Sequence, residues 1–297
     1  MKLVAHISDF GWPVPADELP RLLADYGEQA EASGFDGIAV ADHMWQHPIM
    51  GGPYGASLEA YTTLAFLAAH TRTARLMTTV TGVHFRHPAV LAKTVTTLDV
   101  LSGGRAWLGI GTGHYEEECT GLGISFPPAR ERYEQLEDAL ELCLRMWRGE
   151  HGDDGPYAGH HVHAQQLINA PQARQRPHPP ILVAGEGERR TLPLVARYAD
   201  ACNLRPTPEI PRKLDVLRRL CDDAGTDFDH IERTCAFAFD ANDIQANGPG
   251  QLLDQLRWLA GMGIETVIGR VDGDDPRRGL ELLGRHVIAP AAELDAA

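Results

Sequence analysis

The stretch Arg75–His114 reads R-L-M-T-T-V-T-G-V-H-F-R-H-P-A-V-L-A-K-T-V-T-T-L-D-V-L-S-G-G-R-A-W-L-G-I-G-T-G-H, and it decides the fold class. An apolar strand runs into a polar bend (residues 79–87), and Pro88 opens a helix. Gly103 and Gly104 stop that helix, and a second strand ends in the turn Gly111-Thr112-Gly113. Strand, helix and strand in this span make a parallel crossover unit. Both strands end in polar, glycine-bearing segments, where α/β folds bind their ligands.

The same rhythm extends outward over the whole chain. Apolar runs predict strands at 3–8, 37–41, 76–80, 106–110, 181–184, 201–204, 234–239 and 266–268. Helical segments are predicted at 17–32, 58–70, 89–101, 129–147, 189–198, 208–224, 251–261 and 277–287. In the helix from Ala129, the residues Tyr133, Leu136, Leu140, Cys143, Leu144 and Trp147 form one apolar stripe at three- and four-residue steps. Asp17 is placed as the N-cap of the first helix, and Ser33-Gly34 as its end. Eight strands alternating with eight helices predict a (β/α)8 TIM barrel. An open doubly wound sheet would carry G-x-G-x-x-G directly after its first strand, and residues 8–15 hold one glycine. Residues 149–180, rich in Gly, His, Gln and Pro, read as a small insertion before strand five. A hairpin through Tyr157, Val162 and Leu167-Ile168 is expected there. No composition break divides residues 1–297, so a single domain is expected.

With 297 residues, 43% hydrophobic and 23% charged, the composition is that of a soluble globular protein. The net charge of −14 argues against nucleic acid or an anionic membrane as the main partner, since both reward clustered cations. The first residues lack a signal-peptide core, and no run approaches the ~20 apolar residues of a membrane span. A cytoplasmic location is expected. The five cysteines (119, 143, 202, 221, 235) are scattered without metal spacing and read as reduced structural thiols.

Residues just after each strand are the site candidates. Strand two is followed by Asp42-His43, a carboxylate beside an imidazole that titrates near neutrality; it suits proton transfer, or else Asp42 caps a loop with His43 packed under it. Strand three is followed by Thr79 and Val80, small and β-branched residues placed to support a flat ring. Strand four is followed by Gly111, Thr112, Gly113 and His114. The next carboxylates, Glu116-Glu117-Glu118, read as a solvated loop or helix start. Strand five leads through Ala184, Gly185, Glu186, Gly187, Glu188, Arg189, Arg190 and Thr191 into a helix. Glycines, arginines and free helix N-terminal amides together make a phosphate site. His160, His161 and His163 sit in the expected hairpin, outside the barrel, and no metal site is predicted.

Several segments resemble the bacterial luciferase-like monooxygenase superfamily, and within it the group that uses the deazaflavin coenzyme F420. They are G-F-D-G-I-A-V-A-D-H (34–43), L-E-A-Y-T-T-L-A-F-L-A-A-H-T (58–71), F-R-H-P-A-V-L-A-K (85–93), T-L-D-V-L-S-G-G-R (97–105), G-I-G-T-G (109–113), G-I-S-F-P-P-A-R-E-R-Y-E-Q-L-E-D-A-L (123–140) and P-P-I-L-V-A-G-E-G-E-R-R-T-L (179–192). The resemblance implies a barrel with F420 at its C-terminal mouth. It implies a non-proline cis peptide at Thr79-Val80 behind the ring, Asp42 and His43 beside the redox carbon, and the cofactor phosphate on Gly185 to Thr191. It also implies a homodimer. Members that oxidise a sugar phosphate carry Glu after G-T-G and many others carry Trp; this chain has His114. The expected function is hydride transfer between F420 and a small organic substrate, with His43 as proton relay and His114 as a second candidate. The cofactor contacts expected are Asp42, His43, Thr79, Val80, Gly111, Thr112, His114 and the residues 184–187 and 189–191. A reduced-FMN monooxygenase and a non-catalytic cofactor-binding protein are the alternatives.

Overall fold

The computed structural model describes residues 1–272 and 275–295. Eight parallel strands close on themselves: β1 (Lys2–Ile7), β2 (Gly37–Val40), β3 (Arg75–Thr78), β4 (Ala106–Gly111), β5 (Ile181–Ala184), β6 (Ala201–Leu204), β7 (Glu232–Asp240) and β8 (Thr266–Asp272). Neighbours in sequence pair in space, β1 pairs with β8, and β4 pairs with β5 through Leu108 and Ile181. The helices α1 (Leu19–Ser33), α2 (Ala60–His70), α3 (Pro88–Ser102), α4 (Ala129–Met146), α5 (Thr191–Tyr198), α6 (Ile210–Ala224), α7 (Gly250–Ala260) and α8 (Pro276–Leu283) surround them. This is the (β/α)8 barrel that the alternating pattern predicts.

Every second strand residue faces the barrel axis, because successive side chains alternate across a sheet. Val4, Ala39, Met77, Leu182, Ala201 and Ile268 therefore form one packed interior layer, with Trp107 against it. The opposite faces of the strands meet the helices in a larger apolar shell. Leu136, Leu140, Cys143 and Trp147 of the predicted α4 stripe are buried there, and Tyr133 and Leu144 lie half-buried at its edge. All five cysteines are buried and unpaired.

Local expectations are adjusted at several places. Asp17 caps nothing: α1 begins at Leu19, with Glu18 before it making no side-chain cap bond. Pro20 in the first turn explains this, since its fixed φ suits a helix start and its missing N–H needs no acceptor there. Of the loop or helix start expected at Glu116, the structure shows the helix, Glu116–Gly121, and a further short helix, Ala241–Asn247, follows β7 where none is expected. The last predicted helix is interrupted after Leu283 by one wider turn, Gly284–Ile288.

The insertion forms two nested antiparallel ladders. Tyr157–Ala158 pairs with His163–Ala164, and Gly152–Asp153 pairs with Leu167–Ile168 outside it. Buried carboxylates fasten it to the barrel. Asp138 accepts from the backbone N–H groups of His160, His161 and Val162 and from the Tyr157 hydroxyl. Asp99 accepts from the N–H groups of Arg174 and Gln175. Their burial is stable because backbone donors replace the lost water. His161 also contacts Glu134, 3.1 Å away.

Candidate active site

The C-terminal ends of the strands surround a cavity of about 670 Å³, lined among others by His6, Asp42, His43, Thr79, Val80 and Gly111. That is the size range of small-molecule sites. Its floor follows from a local irregularity between β3 and β4. Met77 pairs with Trp107, and the next pairing is Thr81 with Ile110, so β3 spends four steps where β4 spends three. The extra residue is a bulge, and the Thr79-Val80 peptide within it is cis. The cis bond stands where the resemblance implies it.

Glycine makes the bulge possible. A Cβ on Gly109 would stand 1.9 Å from the Thr78 carbonyl oxygen and 3.3 Å from Val80 Cγ1. On Gly111 it would stand 3.2 Å from Val80 Cγ2. Val80 thus rises over two bare backbone positions and presents an apolar surface to the cavity. The flanking Thr78 and Thr81 hydroxyls are tied together at 3.1 Å, and the buried Tyr61 hydroxyl contacts Thr81 at 2.8 Å. Thr78 in turn donates to the Gly109 carbonyl.

After β2, Asp42 and His43 behave differently. Asp42 is 1% exposed, and both its oxygens accept from the Arg86 guanidinium, which also meets Glu59. Its carboxylate is committed to that ion pair. His43 turns its Nδ1 to Glu118 Oε2 at 2.8 Å. Glu118 has no exposed side-chain surface, and its Oε1 accepts from the N–H groups of Met44 and Trp45. Burial alone would raise the Glu118 pKa, but the bonds from His43, Trp45 and Met44 outweigh it and hold the carboxyl below its usual range. The solvated reading of Glu118 is therefore wrong. Its neighbours Glu116 and Glu117 are exposed as expected.

His114 and His47 extend this edge of the cavity. The His43 and His114 rings lie 5.5 Å apart, centroid to centroid, and His47 lies 5.3 Å from His114. Tyr115 closes the group, 5.1 Å from His47. Desolvation and the neighbouring His43 lower the pKa values of both His47 and His114. Both imidazoles are thereby biased toward the neutral form.

After β5, Ala184 and Gly185 line the cavity, while Glu186 to Thr191 form its adjoining rim. Gly185 has φ +121°, a conformation that L side chains rarely adopt. The Gly187 carbonyl accepts from the N–H groups of Arg190, Thr191 and Leu192, winding the chain into α5. Among the described residues, the N–H groups of Glu186, Gly187, Glu188 and Arg189 donate to no protein acceptor. The acidic side chains of this loop are neutralised: Glu186 pairs with Arg205, and Glu188 with Arg212 and Lys213. Arg189 and Arg190 are exposed, the latter with its guanidinium 5.5 Å from the Tyr133 ring centre. Thr191 is buried, with its hydroxyl 2.9 Å from that of Tyr133.

The structure thus brings Asp42, His43, Thr79, Val80, Gly111, Thr112, His114, Ala184 and Gly185 to one cavity, and sets Glu186, Gly187, Arg189, Arg190 and Thr191 beside it. Sequence reasoning missed His6, Asn203, Phe237 and Glu118. His6, the penultimate residue of β1, points inward two residues after the interior Val4, a position that alternation along β1 would have given. Among the described residues, its buried Nε2 has no partner, and neither has the buried Thr79 Oγ1.

Fold and cavity define the class: an α/β barrel with a small-molecule site at the C-terminal ends of its strands. The chain belongs to the luciferase-like monooxygenase family, whose model matches residues 4–265. It is 30% identical over 267 residues to an F420-dependent glucose-6-phosphate dehydrogenase of Kineococcus radiotolerans, covering 86% of this chain and 73% of that one. It is 33% identical over 197 residues to an enzyme of the same name from Nocardia farcinica, covering 64% of this chain and 54% of the relative. The chain thus spans about half to three quarters of the length of these relatives. Among solved structures, the F420-dependent tetrahydromethanopterin reductase of Methanopyrus kandleri superposes with a TM-score of 0.78 at 17% identity, covering 97% of this chain and 98% of that one. That likeness concerns the fold.

Proposed function

We propose that this chain is an F420-dependent oxidoreductase that moves a hydride between the deazaflavin coenzyme and a small organic substrate carrying a hydroxyl or carbonyl group. The observation that carries the reading is one cavity that holds the Val80 bulge and an imidazole fixed by a buried carboxylate, with a loop of free amides continuing directly from its lining residue Gly185. The curated relatives' names support the choice of coenzyme.

The residues present fit the group. Val80, over the bare positions 109 and 111, offers a ring an apolar support. The unpartnered Thr79 Oγ1 and His6 Nε2 suit its polar edge. The free amides of Glu186 to Arg189, ahead of α5 and beside neutralised carboxylates, suit a phosphate. When bound, the deazaflavin supplies a carbon that accepts or gives a hydride.

The protein's own part is positioning and proton transfer. When a substrate alcohol is oxidised, the hydrogen on its carbinol carbon would leave with the C–H electron pair, the C=O bond forms from the O–H pair, and the O–H proton needs an acceptor. His43 Nε2 is that acceptor, because Nδ1 is already engaged with Glu118. The His114 and His47 rings stand next to His43 at this edge, on the path from the cavity to the rim. In the reverse direction His43 returns the proton to the carbonyl oxygen.

The resemblance implies a homodimer, and the exposed Val90 and Leu101 on α3, at 58% and 69%, support that reading. Light scattering on the eluting protein reports the mass directly.

Anaerobic turnover tests the reading. Oxidised F420 is mixed with a panel of small alcohols and sugar phosphates, and loss of its visible absorbance is followed. Wild type reduces F420 with at least one hydroxyl substrate. His43→Ala keeps F420 affinity and loses about 10²-fold or more in turnover, the usual worth of a positioned acid/base group. Oxygen consumption with reduced FMN, and no turnover with F420, would contradict it.

A further inference from the structure

Glu118 divides its two oxygens between two kinds of partner. Oε1 accepts from the N–H groups of Met44 and Trp45, which can only donate. Oε2 lies 2.8 Å from His43 Nδ1. The carboxylate is wholly buried and the imidazole largely so, with side-chain exposures of 0% and 20%. An ionised carboxylate accepts only, so the nitrogen facing it must carry the hydrogen. Among the described residues, His43 Nε2 has no hydrogen-bond partner.

We propose that Glu118 is the positioning residue of this site: it locks His43 in the Nδ1–H tautomer, so that Nε2 presents a lone pair to the substrate. The assignment rests on His43 being the proton-transferring group of the function proposed above. It gives the site a direction of readiness. With neutral His43, the resting protein is set to take a proton from a bound hydroxyl. Delivering one to a carbonyl requires His43 to carry a hydrogen on both ring nitrogens first.

The geometry dictates an unusually clean variant. In Glu118→Gln, the amide oxygen must stay at the Oε1 position, because an NH2 group there would face two N–H donors. The NH2 is then forced to the Oε2 position, against His43 Nδ1. Nδ1 must accept, and the ring proton moves to Nε2. The Met44-Trp45 turn keeps both its bonds while the base becomes a donor. The equivalent amide replacement in a Ser-His-Asp triad lowers kcat by about 10⁴-fold through the wrong tautomer.

Histidine tautomers are read by long-range proton–nitrogen NMR on the full-length, nitrogen-labelled protein without cofactor, with the His43 signals assigned from their loss in His43→Asn. Wild type shows His43 with its proton on Nδ1, and Glu118→Gln shows it on Nε2. F420 affinity, measured in parallel, stays within about threefold between the two proteins, since neither changes shape. With substrate, Glu118→Gln loses at least about 10²-fold in kcat with little change in KM. An Nε2–H tautomer in wild type would overturn the proposal. So would an unchanged tautomer in Glu118→Gln, which would reduce Glu118 to an anchor for the turn. If the variant does not unfold cooperatively, the wild-type tautomer alone decides. Failure of both proteins to bind F420 would strike the cofactor reading, and the tautomers would still judge Glu118.

Discussion

Asp42 and Arg86 form a two-pronged ion pair under the cavity wall, with Arg86 Nη2 donating to Asp42 Oδ1 at 3.0 Å and Nη1 to Oδ2. Glu59 and the face of Tyr61 complete the surroundings of the guanidinium. The partnership separates the adjacent Asp42 and His43: the carboxylate is taken up by Arg86, while the imidazole faces Glu118. Replacing Arg86 by Met leaves the buried Asp42 charge without a partner, and such losses cost about 3–5 kcal/mol. Urea unfolding of Arg86→Met should show a loss of that order. Asp42→Asn, which keeps a hydrogen-bonding group in place, should fold better than Arg86→Met, and equal stabilities would contradict this division.

The loop after β5 makes a graded prediction about its glycines. A side chain at Gly185 is opposed by its φ of +121° and by Thr191 Cγ2 3.1 Å from the added Cβ. Gly187 is exposed, and an added Cβ meets only Thr191 Oγ1 at 3.1 Å and Tyr133 Oη at 3.5 Å. Gly185→Ala should therefore weaken F420 binding by more than tenfold, about 1.4 kcal/mol. Gly187→Ala should have the smaller effect, and Gly187→Val should approach the tenfold loss by pressing on both hydroxyls. Dissociation constants from fluorescence titration check the order.

Arg189 and Arg190 lie on the exposed start of this turn, so their help to a phosphate is screened by salt. Arg189→Ala and Arg190→Ala should each lose a few-fold in affinity at low salt and much less at high salt. Losses that salt leaves unchanged would point to a buried contact instead of long-range attraction.

Buried imidazoles predict a pH dependence of stability. Burial, then the charges of Arg270 and His43, push the His6 pKa down to about 4. Burial and Arg132, opposed by Glu118, bring His84 to about 4 as well. In the unfolded chain both titrate near the ordinary histidine value of about 6.5. Above that value neither state binds the proton, and stability is level. Between about 6.5 and 4 the unfolded chain takes up protons that the native state refuses, so stability falls with falling pH. Each group contributes up to about 1.4 kcal/mol per pH unit in that window. Urea unfolding across it should show a shallower slope in His6→Gln than in wild type; equal slopes would contradict the burial argument.

The eight strands were readable from sequence because each is a short apolar run between turn residues, and β5 and β6 match their predicted bounds. Strand three ends two residues earlier than its apolar run, at Thr78, because the cis Thr79-Val80 peptide takes the chain out of the ladder. Glu118 was not readable. Three successive carboxylates look alike in sequence, and only the short helix Glu116–Gly121, set against the Met44-Trp45 turn, decides which one faces inward. Asp42 and His43 likewise share one motif, and only the Arg86 guanidinium on Asp42 and the Glu118 carboxylate on His43 tell them apart. His6 was within reach, since alternation from Val4 places it inside the barrel, yet it carries no neighbouring motif to draw attention.

The central claim is that this barrel mouth is built for F420. Purified protein titrated separately with F420 and with FMN, by fluorescence at equilibrium and without substrate, tests it most directly. The account predicts micromolar or tighter F420 binding, weakened more than tenfold in Gly185→Ala. Micromolar FMN binding with no detectable F420 binding would contradict it.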